Sequence, residues 1–225
     1  MSNGHPLSSK LTRVLAFGLV LMTSSSPHAG APRSGTFWLG LHGGVTFNTT
    51  IDLSHRSAES ELTPTDSADP SFGISFNYRT TRLDFGLLID SFGAGAFQGL
   101  DRTRGIGGRS RIAANLGWRF FEDGWGALSL HFRPGLLLAN HNDHLRSQVA
   151  VVLNRQPTQL SGIDSYNSGF VIGSGIGIAF YLRDFLSVYL EVEVVTSTLT
   201  LQGDALEVRM RTVQPLFNFG LRAKL

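Results

Sequence analysis

From Phe37 to the last residue, apolar side chains return at every second position in eight separate stretches. A period of two belongs to a β-strand whose two faces meet different surroundings. The first stretch is Phe37, Leu39, Leu41, Gly43, Val45, Phe47. The second is Phe72, Ile74, Phe76, Tyr78, and the third Leu83, Phe85, Leu87, Ile89. Ile112, Ala114, Leu116, Trp118 and Phe120 form the fourth. The fifth runs Leu128, Leu130, Phe132 and continues beyond Pro134 with Leu136 and Leu138. The sixth is Phe170, Ile172, Ile176, Ile178, Phe180, Leu182. The seventh is Leu186, Val188, Leu190, Val192, Val194, and the eighth Val213, Phe217, Phe219, Leu221, Leu225. Helical spacing fits none of them over a comparable length. The pattern predicts an all-β chain of eight strands.

The connections alternate in length. Arg79-Thr80-Thr81-Arg82, Glu122-Asp123-Gly124 and Arg183-Asp184 are short enough for hairpin turns. The others, at roughly 49–70, 92–110, 139–165 and 197–211, are long. An antiparallel up-and-down barrel with short turns at one end and longer loops at the other has this rhythm. Both termini then lie at the short-turn end, which requires an even strand count.

Periodicity does not say which face points outward, since a soluble lipocalin-like barrel alternates too. Volume decides. An eight-stranded barrel has an interior barely wide enough for side chains. The face opposite the bulky set carries Gly40, Gly44, Gly73, Gly86, Gly117, Gly173, Gly175, Gly177 and Gly220, with Ser71, Ser75, Ser129 and Ser187. Those small residues fit a narrow lumen, so the Phe, Leu, Ile and Val residues are expected outside. Such a wall is tolerable only in lipid. Aromatic residues gather near strand ends as interfacial girdles do: Phe37, Phe47, Phe72, Tyr78, Phe85, Trp118, Phe120, Phe170, Phe180 and Phe217. Pro134 and Pro215 fall inside strands. A bulge is expected there, or a rise of these segments above the membrane.

Composition agrees with an exported barrel. The chain has 26 glycines and no cysteine, so disulfides, thiolate–metal sites and a lipoprotein anchor are not expected. The formal charge of +2 is accounted for by Lys10 and Arg13; the remainder balances and forms no basic patch for nucleic acid. Residues 1–31 read as a signal peptide: Lys10 and Arg13, the apolar run Val14–Met22, then small residues ending Ala29-Gly30-Ala31. That run is too short for a transmembrane helix, which takes about 20 apolar residues. Residues 32–225 are then the barrel, with no appended domain.

The final stretch, Phe217 to Leu225, alternates to the end. Its Asn218, Gly220, Ala223 and Leu225 resemble the C-terminal signal strand of bacterial outer-membrane β-barrels: a polar residue, a glycine two on, then two apolar residues near the end. With the strand count, loop asymmetry and lumen polarity, the chain from residue 36 on resembles the small eight-stranded barrels of the OmpA-transmembrane-domain and OmpX type. The resemblance implies a place in the outer membrane of a Gram-negative envelope, contact with its lipid, and recognition of the last strand by the barrel-assembly machinery. It implies little about activity, which is grafted onto loops.

Chemistry is expected in the lumen. The alternation points Asp84, Asp90, Arg111, Arg119, Arg133, Glu191, Glu193, Arg222 and Lys224 inward, with His42, Asn115, His131, Tyr189 and Asn218. Within this set His42, Asn115, His131, Glu191 and Asn218 come near mid-height, Arg133 and Glu193 just above, and Asp84 and Arg119 lower down. Buried charges persist only when paired, so a connected network of His42, Asp84, Asn115, Arg119, His131, Arg133, Glu191, Glu193, Asn218 and Arg222 is expected to close the lumen. The alternative is a gated ion path in which Arg133 exchanges between Glu191 and another acid. His141-Asn142-Asp143-His144 has metal-ligand types but no third and fourth ligand, so no metal and no cofactor are expected. Val149–Leu153 is an apolar run that extends the barrel as a hairpin or adds a strand to a partner. His141, His144, Ser147 and Ser165 would stand at the rim, as in lipid A-modifying barrels, but no local motif matches those enzymes. The reading is a non-enzymatic outer-membrane protein with a structural or surface-interaction role, its ligand held by loops 49–70 and 139–165. A small porin-like channel is the alternative, and a rim enzyme the third reading.

Overall fold

The computed structural model describes residues 35–47, 50–55, 58–62, 69–92, 108–140, 166–202 and 207–225. The signal peptide read at 1–31 lies outside the described residues. So do the Val149–Leu153 run, the rim residues His141, His144, Ser147 and Ser165, and most of the connections at 92–110 and 139–165.

Among the described residues ten strands form one antiparallel sheet: β1 Thr36–Thr46, β2 Thr50–His55, β3 Ala58–Leu62, β4 Asp69–Arg79, β5 Leu83–Phe92, β6 Arg109–Asp123, β7 Gly126–Asn140, β8 Tyr166–Arg183, β9 Leu186–Gln202 and β10 Glu207–Lys224. Eight of them close a barrel in the order β1-β4-β5-β6-β7-β8-β9-β10, with β10 returning to β1 from Thr46↔Leu216 to Trp38↔Lys224. The final amide, Leu225 N–H, also donates to Phe37 O at 2.9 Å. The remaining pair, β2 and β3, is a hairpin inside the long connection 49–70. It prolongs the wall by pairing β2 with β10 from Thr50↔Val213 to Ser54↔Arg209.

At one end, here the turn end, the links are tight. Thr80–Arg82 joins β4 to β5, with Thr80 N–H donating to Leu83 O at 2.8 Å; Gly124-Trp125 and Asp184-Phe185 make the other two. At the opposite, loop end the connection expected at 197–211 is mostly strand. β9 runs on to Gln202 and β10 begins at Glu207, leaving only 203–206 between them. The alternation changes phase here, and that hid the strands. Along β9 the outward residues Leu190, Val192 and Val194 give way to Thr196, Thr198 and Thr200, while the inward ones pass from Glu191 and Glu193 to Val195, Leu199 and Leu201. On β10, Phe217 and Phe219 face out below and Arg209 and Arg211 above, with Leu216, Met210 and Val208 buried inside.

Below that change of phase the barrel is inside-out relative to a soluble domain. On β8 the apolar outer residues run from Phe170 to Leu182, twelve steps of ~3.3 Å, which at the usual tilt spans roughly 30 Å along the barrel axis, the thickness of a bilayer core. Aromatic residues edge this band. Towards the turn end Phe37 stacks on Phe76 (5.4 Å), and Trp125 lies between Phe121 (6.3 Å) and Phe180 (5.9 Å); towards the loop end Phe47 meets Phe217 edge-on at 5.7 Å.

The two prolines behave differently. Pro134 causes no register shift; the β6–β7 ladder simply lapses opposite it, between Ala113↔Gly135 and Leu116↔Phe132, while the ladder to β8 is unbroken. Its missing N–H is absorbed by a gap of two residue pairs in that ladder, which corrects the expected bulge. Pro215 does sit at a slip. From Thr46↔Leu216 to Thr50↔Val213, four residues advance on one side and three on the other, and Pro215 O accepts from Phe47 N–H at 3.2 Å. In an antiparallel strand a residue's N and O share one edge, so the absent donor falls where β1 gives way to β2.

An arginine placed on the outer face reports the band directly. Val192→Arg is expected to lower the stability of the barrel refolded in lipid vesicles by about 2–4 kcal/mol, and Thr198→Arg by no more than about 1. Equal urea midpoints for the two variants would mean that the phase change does not mark the edge of the apolar band.

Candidate functional site

The narrow lumen forces the inward side chains of opposite strands into contact, and in its middle these are charged. Arg111 on β6 forks onto Asp90 of β5, Nε to Oδ1 at 2.9 Å and Nη2 to Oδ2 at 2.5 Å. The same guanidinium donates from Nη1 to Glu193 Oε1 on β9 at 2.6 Å. Glu193 also accepts from Arg133 Nη1 of β7 at 2.8 Å. Arg133 in turn forks onto Glu191, through an Nη1–Oε1 contact and through Nη2–Oε2 at 2.7 Å, while its Nε donates to Asn115 Oδ1 at 2.8 Å. The result is a ladder of alternating sign: Asp90, Arg111, Glu193, Arg133, Glu191. β5 and β9 stand four places apart in a ring of eight, so the ladder crosses the full diameter.

Burial makes the pairing obligatory. Arg111 and Glu193 are both 0% exposed, where an unpartnered charge would be untenable. Bidentate guanidinium–carboxylate contacts suit such a site because two parallel donors meet two acceptors. The backbone makes room for them. A Cβ on Gly173 would coincide with Glu193 Oε1 and stand 2.6 Å from Arg111 Nη1; one on Gly73 would stand 2.6 Å from the His42 ring. These glycines are spaces that side chains of the adjacent strands fill.

All ten residues expected to build the lumen network lie on the inner wall, but they do not form one cluster. Arg133, Glu191, Glu193 and Asn115 belong to the ladder. Arg222 Nη2 is 4.0 Å from Glu191 Oε2 and its guanidinium stacks on Tyr189 at 3.9 Å. His131 Nε2 contacts Ser129 Oγ at 2.7 Å and lies 3.8 Å from Glu191. His42 lies 3.9 Å from Asp90, with neither ring nitrogen hydrogen-bonded. Asn218 accepts from Ser71 Oγ at 3.2 Å. Asp84 and Arg119 form a second group nearer the turns. They are 3.5 Å apart, yet Arg119 makes its closer contacts with Glu122 (2.6 Å) and Thr80 O, and Asp84 accepts from Arg79 Nε at 3.3 Å.

Several members of these groups were not read from the pattern as network residues. Asp90 and Arg111 stood in the inward set without a role, although they complete the ladder. Arg79 stacks on Trp38 (4.8 Å) and contacts Tyr181 OH at 3.4 Å, yet it looked like part of a turn. Its parity with Ser71, Gly73, Ser75 and Asn77 was the available signal. Glu122 turns inward because a register shift between Arg119 and Phe121 leaves both Phe120 and Phe121 outside, and Tyr181 OH donates to it at 2.6 Å. Arg109 donates to Gln214 Oε1 at 2.6 Å and Thr212 Oγ1 at 3.2 Å above the ladder.

A further departure concerns the loop-end half of the lumen, where buried apolar residues surround the polar group of Arg109, Gln214, Thr212 and Ser197. Leu137, Val171, Leu199, Val208, Met210 and Leu216 are wholly buried there, with Phe92. Runs such as Leu136-Leu137-Leu138 and Val194-Val195, apolar on both faces, carried that signal. The lumen is thus closed twice, by charge pairs and by hydrocarbon. Even the interstice lined by Trp38, Asn77, Arg79, Asp84, Asn115 and Arg222 has no room for a water molecule.

Serine, histidine and carboxylate meet at Ser129, His131 and Glu191, but not as a nucleophilic triad. Hydroxyl and carboxylate both approach Nε2, whereas a triad needs the acid on the other ring nitrogen to orient the imidazole, and Nδ1 has no hydrogen-bond partner. Among the described residues no group of three His, Asp or Glu is placed to hold a metal ion.

No family model and no curated protein matches the chain. Solved structures do. The outer membrane protein OprG from Pseudomonas aeruginosa aligns over 87% of this chain and 98% of its own, with a TM-score of 0.51 at 11% identity. The chain has the fold of the small eight-stranded outer-membrane β-barrels. Neisserial surface protein A aligns over 84% and 97% of the two chains at 15% identity and a TM-score of 0.45. The outer membrane protease OmpT from Escherichia coli aligns over 89% and 100% at 6% identity, also with a TM-score of 0.45. At these identities the likeness to known barrels is one of fold.

If the ladder carries the middle of this barrel, removing either end of its strongest pair leaves a buried charge alone. Glu191→Ala and Arg133→Ala are each expected to cost about 3 kcal/mol in urea unfolding of the refolded barrel. The double variant is expected to lose less than their sum. Additive losses would refute direct pairing. Gly173→Ala, which displaces Glu193 from both arginines, is expected to lower the midpoint as well.

Proposed function

We propose that this protein is an integral outer-membrane barrel with a closed lumen, working as a structural or surface-interaction protein through its loop end. The observation that carries the proposal is the double closure. An ion would have to part the Asp90–Arg111–Glu193–Arg133–Glu191 ladder and then pass the hydrocarbon layer around Leu137, Leu199 and Met210. The apolar outer band supports placement in a lipid bilayer, and the fold supports the outer membrane in particular. On this reading the turn end faces the periplasm, and the loops that include 49–70 and 139–165 face outward and hold whatever ligand the protein has. The β2–β3 hairpin already extends the wall in that direction.

The last strand fits recognition by the barrel-assembly machinery. Asn218 and Gly220 face the lumen, with Gly220 packed against Leu41 O and the Tyr189 ring, while Leu225 is left exposed at the barrel base. Its side chain is free for a partner while its amide is held by β1.

Two measurements test the proposal. The mature chain is expected to remain with the membrane after carbonate extraction; recovery as a soluble periplasmic monomer would revive the lipocalin-like reading. Refolded wild-type protein in planar bilayers is expected to be electrically silent, with openings appearing in Arg133→Ala or Glu191→Ala. A steadily conducting wild type would replace this function with that of a channel.

A further inference from the structure

Six arginines are buried in the lumen among the described residues. Five have a carboxylate within 4.0 Å: Arg79 and Arg119 share Asp84, Arg111 meets Asp90, and Arg133 and Arg222 meet Glu191. Arg109 forms no such pair among the described residues, although it is only 2% exposed. It opens β6 at the loop end, and its side chain crosses the lumen to β10, four places away in the ring. There Nη1 donates to Gln214 Oε1 at 2.6 Å and to Thr212 Oγ1 at 3.2 Å, both neutral acceptors. Nη2 is equally buried and has no hydrogen-bond partner. Asp69, half-buried at the start of β4, acts on Arg109 through its field without touching it. The acids of the ladder below are already engaged, Asp90 by Arg111 and Glu193 by Arg111 and Arg133. Apolar groups fill the surroundings: Phe92 and Ala139 are the cross-strand neighbours of Arg109, and Leu199 pairs with Met210 on the opposite wall.

A guanidinium is never neutral in a protein, and a buried charge without a partner is heavily penalised. We infer that Arg109 binds a compact monovalent anion of the chloride kind inside the loop-end lumen, held by Nη2. One guanidinium balances one negative charge, so a dianion such as sulfate would leave a buried charge of the opposite sign. A second donor is at hand. The hydroxyls of Ser197 and Thr212 are 2.6 Å apart and spend one of their two protons on each other, which leaves the other to give. The apolar side chains that close around the guanidinium favour a small ion over a polyatomic one. They also strengthen its attraction to the arginine by keeping water away. The anion would neutralise the one charged group of the layer above the ladder, as the carboxylates do within the ladder itself. The inference needs neither the membrane placement nor the surface role proposed above.

The test is urea unfolding of the refolded chain in detergent, with chloride replacing gluconate at constant sodium and ionic strength. The folding constant is expected to grow as one plus the ratio of chloride to its Kd, about elevenfold at ten times that Kd. Arg109→Gln is expected to abolish this response. It is also expected to match or exceed the wild type at the lowest chloride, because it removes a charge left without a counter-ion. Asp69→Asn is expected to bring the response in at lower chloride, by removing a negative field that competes with the anion. Sulfate at equal ionic strength is expected to stabilise the wild type less than chloride does. Folding of each variant is checked by its heat-modifiable gel mobility; if Arg109→Gln does not fold, Asp69→Asn and the sulfate comparison carry the test. A wild type indifferent to chloride, an undiminished response in folded Arg109→Gln, an unshifted one in Asp69→Asn, or an equal effect of sulfate would each overturn the assignment.

Discussion

Closure of β1 onto β10 is the constraint from which the rest follows. In hydrocarbon every strand amide and carbonyl must find a partner within the protein, and only a ring of strands without an edge provides that. Eight strands make a narrow ring, so the inner side chains meet across it. Glycine and serine line it where side chains of neighbouring strands lean across, as Gly173 does beneath Glu193 and Gly73 beneath His42. Where charges enter, they must satisfy one another. The sharing of Glu193 between Arg111 and Arg133 joins what would be two isolated ion pairs into one crossing of the lumen.

The same strands serve two solvents. On β9 and β10 the outer face is apolar below Thr196 and Val213 and polar above them, where Leu199, Leu201, Val208 and Met210 turn inward; on β7 and β8 the apolar outer face continues to Leu138 and Phe170. Because β8, β9 and β10 are the longest strands and the β2–β3 hairpin docks on β10, the water-facing extension rises on one side of the ring. This asymmetry places Arg209 and Arg211 at one position on the circumference.

Local irregularities lie where they turn a side chain or absorb a missing donor. The register shift near Arg119 brings Glu122 into the lumen, and the slip at Pro215 falls at the handover from β1 to β2. Pro134 is accommodated by a gap of two residue pairs in the ladder to β6, while the ladder to β8 continues.

The barrel, its strand order and the outward direction of the bulky residues were legible in the sequence. A period of two fixes faces, and the glycines leave the other face too small to hold the apolar set. The inward charges were legible for the same reason. Partners were only partly so: alternation says that Arg133 and Glu191 point inward, but strand stagger decides that Glu193 lies between two arginines. The change of phase on β9 and β10 is masked in the sequence, because Leu199, Leu201, Val208 and Met210 are apolar at positions where the alternation below them is polar. Glu122 and Arg79 were invisible for a different reason, being set by turns and a bulge that shift the side-chain period locally. Sequence alone determined which face of each strand meets lipid; tertiary structure decided how high the lipid reaches and which charges hold one another, because both depend on the heights at which neighbouring strands are paired.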